Sequence, residues 1–338
     1  MELTLLAIDT SKHVFTLHGV DASGKAVLRR ELRRGQMEAF FRKLPPTEIA
    51  LEACGGSHHW ARELGKLGHR VRLLPPQYVK PFVKRGKNDR IDAEAIAEAA
   101  RRPNIKPVPV KSAETQAQTM VLSVRELLIR QQTQLVNAVR GHAAEFGVIA
   151  AKGVANVDKL LARIADDPAV PDVARAMFVE LGEAIAAVRV RVSQLDHELA
   201  RQHKANALSQ QLAAVPGIGP VTALTLAVGI DPAQFQSGRH FAAWIGLTPK
   251  EHSTGGKQRM GGISRQGNER LRQLLVQGAT SVVRLVKPGQ RYATAWLLGL
   301  LARKPRKVVA VALANKIARI VWAMMTSGEA YRSQPVAG

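Results

Sequence analysis

The chain has 338 residues and 46% hydrophobic content, which suffices for real cores and roughly two domains, yet its 49 lysines and arginines against 27 acids leave a net charge of +22 that points to a polyanionic partner. The single cysteine, Cys54, excludes an internal disulfide and a cysteine-rich zinc site. No membrane insertion is expected: residues 308–322 are broken by Lys316 and Arg319 and read as a buried helix, MELTLLAIDT lacks the basic start and cleavage site of a signal peptide, and the expected location is cytoplasmic.

Residues 3–103 read as strands alternating with helices. LTLLAIDT, HVFTLHGVD and VLRREL are apolar or β-branched runs separated by short turns, which predicts an antiparallel meander. A helix over 35–44, a strand ending at Glu52, a helix over 57–67, a strand HRVRLLP, a helix after Pro75 and another from Asn88 follow. The pattern is a mixed α/β sheet covered by helices. Residues 112–146 and 172–204 carry long helical periodicities joined through an AKGVANVDK loop and a DDPAVPD break. Two antiparallel helices of this length make either an oligomerisation or spacing element, or a packing unit within one subunit. Residues 207–330 are mostly helical with glycine-rich breaks, and residues 250–322 hold 15 lysines and arginines against two acids, Glu251 and Glu269.

Against this basic background four acids stand out: Asp9 in LLAIDTSK, Glu52 in IALEACGG, and Asp89 and Asp92 in KNDRIDAEAIAEAA. Asp9 and Glu52 fall at strand ends, where neighbouring strands can aim side chains into one crevice. Asp89 and Asp92 are three apart on a predicted helix, roughly 5–6 Å between Cβ atoms and on one face. Carboxylates grouped in this way hold Mg²⁺, and two such ions clamp the attacking and leaving oxygens of a phosphoryl transfer. The simpler readings are a first-turn charge for Asp89 and a turn start for Asp9. His58 and His59 read as polar residues opening a helix and are not assigned to metal.

The segment EHSTGGKQRMGGISRQGNER has the composition of a loop. Gly255 and Gly256 would let the backbone approach a phosphate, with Lys257, Arg259 and Arg265 supplying charge. Ser253 could attack phosphorus and hold a DNA end covalently. It could equally be a phosphate-contacting hydroxyl or an ordinary serine turn, and Ser264 is a second candidate. VPGIGPVTA, residues 215–223, resembles the hairpin of a helix-hairpin-helix element, with Gly217 and Gly219 exposing N–H groups to a phosphate; a plain connecting turn is the competing view. At 4% aromatic content, base-stacking platforms are not supported.

Taken in order, the four acidic motifs, LVNAVRGHAAEFG, VPGIGPVTA and GLTPKEHSTGGKQRMGGISRQGNERLRQLLVQGA resemble the DEDD insertion-sequence transposases related to Piv-type invertases, the bridge-RNA-guided recombinases of the insertion-sequence one-ten type, with STGGK favouring the eleven-eleven branch. The resemblance covers nearly the whole chain. It implies an N-terminal RuvC-like, ribonuclease-H-like domain over 1–110, a coiled-coil helical hairpin over 111–206 and a helical transposase domain over 207–330. The family's metal-binding acids fall on Asp9, Glu52, Asp89 and Asp92, all four types kept, with Mg²⁺ or Mn²⁺ and two ions expected. Its nucleophilic serine falls on Ser253, because Thr254 stands where a second serine is frequent. The resemblance further implies donor and target DNA, a structured guide RNA that pairs with both, and a dimer or tetramer whose active sites combine the acids of one subunit with the serine of another.

Overall fold

A computed structural model describes residues 2–84, 88–257, 259–287 and 292–332 and divides the chain into two compact units, 1–116 and 117–338.

The first unit is a five-stranded sheet between two layers of helices. Its strands are β1 (Leu5–Asp9), β2 (Val14–Val20), β3 (Ala26–Arg33), β4 (Glu48–Glu52) and β5 (Arg70–Leu74), in the order β3-β2-β1-β4-β5. The meander pairs β1, β2 and β3 antiparallel, and β4 and β5 then add parallel to β1. The helices between them are α1 (Met37–Lys43), α2 (Ser57–Lys66), the single-turn α3 (Pro76–Val79) and α4 (Asp89–Ala100). Alternate residues of β1 serve different layers, as a pleated strand requires. Leu6 and Ile8 join Phe41 of α1 and Trp60 and Leu64 of α2 in one core, while Leu5 and Ala7 join Ile96, Ala97 and Ala100 of α4 in the other. The outer edge of β5 is closed by Val108, whose N–H donates to the Leu73 carbonyl at 2.7 Å. The other edge, β3, is open and bears Arg29, Arg30 and Arg33.

The second unit is helical apart from one hairpin. The long helices α5 (Ala113–Glu145) and α7 (Asp172–Ala205) run antiparallel, with Arg125 paired to Asp196 and the Phe146 ring edge-on to Phe178 at 6.4 Å. The loop expected over 151–159 instead contains a 3-10 turn and the start of α6 (Val157–Asp166). Val157, Leu160 and Ile164 recur at helical spacing and are buried against Val139, Phe178 and Ile185, so the apolar stripe overrides the polar residues between them.

Beyond α7 come α8 (Ala207–Ala213), α9 (Pro220–Gly229), α10 (Gly238–Trp244), strands β6 (Pro249–Glu251) and β7 (Met260–Ile263), α11 (Glu269–Leu285), α12 (Ala295–Leu301) and α13 (Arg306–Ser327). A core of Leu212, Ile218, Phe241, Ile245, Leu275, Ile317 and Val321 joins α8, α10, α11 and α13. By length and composition α13 could cross a membrane, but here it is the central helix of this core, with Val309, Ala314, Ile317 and Val321 buried. The turn between α8 and α9 lies on α11 backbone to backbone: a Cβ added to Gly278 would sit 1.8 Å from the Gly217 carbonyl oxygen. Glycine at both positions is therefore a packing requirement.

Candidate active site

The pleat decides where the strand-end acids point. Asp9 follows Leu5 and Ala7 at intervals of two, and Glu52 follows Ala50, so both emerge on the α4 side of the sheet. α4 delivers the other pair. Asn88 caps the helix, its side-chain oxygen accepting from the Arg90 N–H at 3.0 Å, and so sets Asp89 and Asp92 in the first turn. Alanines at 93, 95, 97, 99 and 100 are buried and let α4 lie close on the strands.

Carboxylate oxygens of Asp9, Asp89 and Asp92 lie within 4.8 Å of one another. Glu52 is outside that group of three. Burial raises the pKa of Glu52, and the charge of Asp92 raises it further. Asp9 is pushed up to about 6, first by burial and then by Asp92, Asp89 and Glu52; a hydrogen bond from the Thr10 backbone opposes the shift. Among the described residues, the charges that act most on Asp9 are other carboxylates. A cluster of hard oxygen donors whose negative charges raise the pKa of Asp9 and Glu52 is the donor set that suits a divalent cation of the magnesium type. First-turn placement alone would explain Asp89 and Asp92, but it does not explain a half-buried strand acid brought against them.

His58 is committed elsewhere: its Nδ1 accepts from the Lys111 N–H at 3.2 Å, and burial and the Lys111 charge lower its pKa. Two neighbours of the cluster lie beyond the four acids, and of these sequence reasoning misses Cys54. Cys54 Sγ lies 3.2 Å from Thr10 Oγ1, beside the end of β1. Asn88, expected as the start of a helix, is its cap residue ahead of an acid-rich first turn.

The serine segment, expected as loop, is a two-stranded hairpin. Thr254-Gly255-Gly256-Lys257 forms its tip, with positive φ at both glycines (57° and 75°) and the Lys257 N–H donating to the Thr254 carbonyl at 3.2 Å. This is the geometry of a type I′ turn, which favours glycine at both central positions. β7, MGGI, is largely exposed and lacks apolar alternation, so nothing in its composition marks a strand. Ser253 stands just before the turn. Its Oγ donates to Glu251 Oε1 at 2.8 Å and accepts from the Arg259 backbone N–H at 3.2 Å. Glu251 ends β6 and Ser253 follows two residues later, close enough for the side-chain hydrogen bond that joins them; once the strand is known, that spacing is the signal that finds Glu251. Ser264 instead donates its N–H to the Thr248 carbonyl at 2.8 Å, at the foot of the hairpin.

Residues 6–147, which hold all four acids, match the DEDD transposase family of insertion sequence IS110, and residues 209–294, which hold the hairpin, match the "Transposase IS116/IS110/IS902 family". A Sinorhizobium fredii protein named "Putative transposase y4pF/y4sB" is 54% identical over 98% of this chain and 86% of its own length. The "Transposase for insertion sequence element IS1111A" of Coxiella burnetii is 37% identical over 98% and 92%, and that for IS1328 of Yersinia enterocolitica is 36% identical over 97% and 98%. The chain belongs to the IS110/IS116 family of DEDD transposases. It is therefore an enzyme that rearranges DNA, and DNA is its substrate. Membership of a DEDD family implies divalent-metal chemistry, and the cluster at Asp9, Asp89 and Asp92 provides oxygen donors for it. The matched segments leave 148–208 between them, so α6 and the whole of α7 lie outside both.

Proposed function

We propose that this transposase cuts, exchanges and reseals DNA strands through a covalent link to Ser253, and that a structured RNA pairing with donor and target DNA chooses the sites. The observation that carries the reading is the setting of Ser253: a half-buried hydroxyl on a glycine-turned hairpin, oriented between a carboxylate and a backbone N–H. In the cleavage step Ser253 Oγ attacks phosphorus and its proton passes to Glu251. The bond from phosphorus to the 3′-oxygen breaks, that oxygen takes a proton from solvent, and a 5′-phosphoserine is left. An incoming 3′-hydroxyl reverses the step and frees the serine.

Asp9, Asp89 and Asp92 would hold Mg²⁺ or Mn²⁺, with Glu52 completing the acidic wall. Bound there, the metal supplies charge stabilisation for the five-coordinate phosphorus. The chain's own cations do the positioning. Lys257, Arg259 and Arg265, with the N–H groups around Gly255, Gly256, Gly217 and Gly219, would contact phosphates, while base pairing rather than protein supplies sequence choice. Support for an RNA partner is the net charge of +22 together with the family resemblance. In the same reading the acid-bearing part, 1–110, is RuvC-like, 111–206 is a coiled coil that joins subunits, and 207–330 is the serine-bearing domain. The acids of one subunit serve the serine of another, which would couple cutting to assembly.

The test is a denaturing gel. Wild-type protein with its element's DNA and RNA is expected to form a protein–DNA adduct that Ser253→Ala abolishes while still binding DNA. Cutting by Ser253→Ala at the normal rate, or cutting by the wild type with no adduct, would mean that water is the nucleophile.

A further inference from the structure

α11 buries one face and leaves the other to solvent. Leu271, Leu275, Ala279 and Val283 pack inward, whereas Gln273, Gln277, Thr280 and Arg284 recur at helical spacing and are exposed. This stripe rises about 16 Å along the helix. It lines a groove of about 750 Å³ that also includes Ile263, Arg265 and Val311. Glu269 on the same groove accepts from Gln273 Nε2 at 3.1 Å, and no acid occurs in the sequence from Arg270 to Lys287. A solvated helix face normally mixes both charges; past Glu269 in the first turn this one has only arginine, amide and hydroxyl groups, all able to donate to a phosphate oxygen.

Two further observations mark the groove as built for an anion. Arg265 has φ 56°, the one non-glycine among the described residues in the left-handed region, and its N–H donates to the Gly246 carbonyl at 3.2 Å. Holding a side-chain-bearing residue there costs free energy, and such positions cluster at functional sites. α13 also opens with Arg306 and Lys307 and no acid in its first turn, against the preference of the helix dipole. Lys307 is exposed one turn ahead of Val311 on the same face, so it extends the basic wall. Among the described residues Arg265, Arg284 and Lys307 form no ion pair.

We propose that this groove is a DNA track, in which Gln273, Gln277, Thr280 and Arg284 grip the sugar–phosphate backbone of the duplex that leads away from the Ser253 hairpin. The occupant and direction rest on the reading of Ser253 as the cutting residue. β7 runs through Ser264 and Arg265 directly into α11, so a duplex engaged on the hairpin continues along the stripe.

The test uses the full-length protein with its RNA and a duplex carrying the element's own end. A photocrosslinking amino acid in place of Gln277 is expected to capture the DNA. The exposed double substitution Arg284→Ala/Lys307→Ala is expected to flatten the slope of log affinity against log salt by about 1.8, at about 0.9 for each phosphate that the protein no longer neutralises. Crosslinking to the RNA, crosslinking to neither nucleic acid, or an unchanged salt slope each overturns the proposal. The adduct gel keeps the two readings apart: a DNA crosslink at position 277 in a protein that cuts without forming a Ser253 adduct supports the track and removes only the serine chemistry.

Discussion

Asp9, Asp89 and Asp92 meet because a buried sheet and a capped helix bring distant segments together, whereas Ser253 and Glu251 meet because they are near neighbours in the chain where β6 gives way to the hairpin turn. The first arrangement inherits its position from two hydrophobic cores and carries an electrostatic cost, since burial and mutual repulsion push Asp9 up to about 6. The second stands on a largely exposed hairpin, held by a glycine turn, a short strand pairing and its own two hydrogen bonds. A cluster of like charges needs a rigid frame and a cation. A nucleophile that must reach a substrate needs neither, and a hairpin tip serves it.

Three changes test that contrast. The largest effect is expected from Asp92→Asn, which keeps shape and removes charge: single-turnover strand cleavage falls by about 10³-fold, the scale of metal-borne charge stabilisation, while DNA binding survives. Cleavage near the wild-type rate would detach the acids from the chemistry. Next is Glu251→Gln, expected to slow adduct formation by about 10²-fold, the lower end of general-base catalysis, with recovery as hydroxide rises. A rate that is unchanged, or that stays low at every pH, would leave Glu251 a hairpin contact only.

The smallest effect is thermodynamic. Because the folded pKa of Asp9, about 6, lies above its ordinary 3.8, the protonated acid stabilises the metal-free fold. That contribution is complete below pH 3.8 and disappears as pH rises through 6, so Tm of the metal-free protein should fall across this window. Mg²⁺ at neutral pH should restore it, and Asp9→Asn should remove this part of the pH slope and the Mg²⁺ response. Ser253→Ala should leave both in place, and a matching change there would erase the distinction between the sites.

Much of the first unit is legible because strands and capped helices leave periodic marks. The β-branched runs mark the meander, and Asn88 with the alanine-rich run after it marks α4. Period-two counting even aims Asp9 and Glu52 at one face. It cannot say that Glu52 stands outside the tight group, because that depends on how the helix seats on the strand ends. The second unit hides more. β7 has two glycines among four residues and little burial, so its strand state comes from pairing with β6 alone. The need for Gly217 and Gly278 to be bare is a meeting of two backbones, and no local pattern records it. α6 is concealed by its polar VANVDK start, which has the composition of a loop, although the stripe of Val157, Leu160 and Ile164 is present in the sequence.

The two margins of the five-stranded sheet have a consequence for solubility. An unpaired strand edge is a template on which another chain can add, and stacked copies grow into aggregates. Val108 blocks one margin by bridging to Leu73. On the other, β3 pairs with β2 alone among the described strands and carries Arg29, Arg30 and Arg33, so a second copy docking there would bring like charge against like. In an enzyme whose substrate is DNA, the arginines of β3 set a charge barrier against self-association through the sheet.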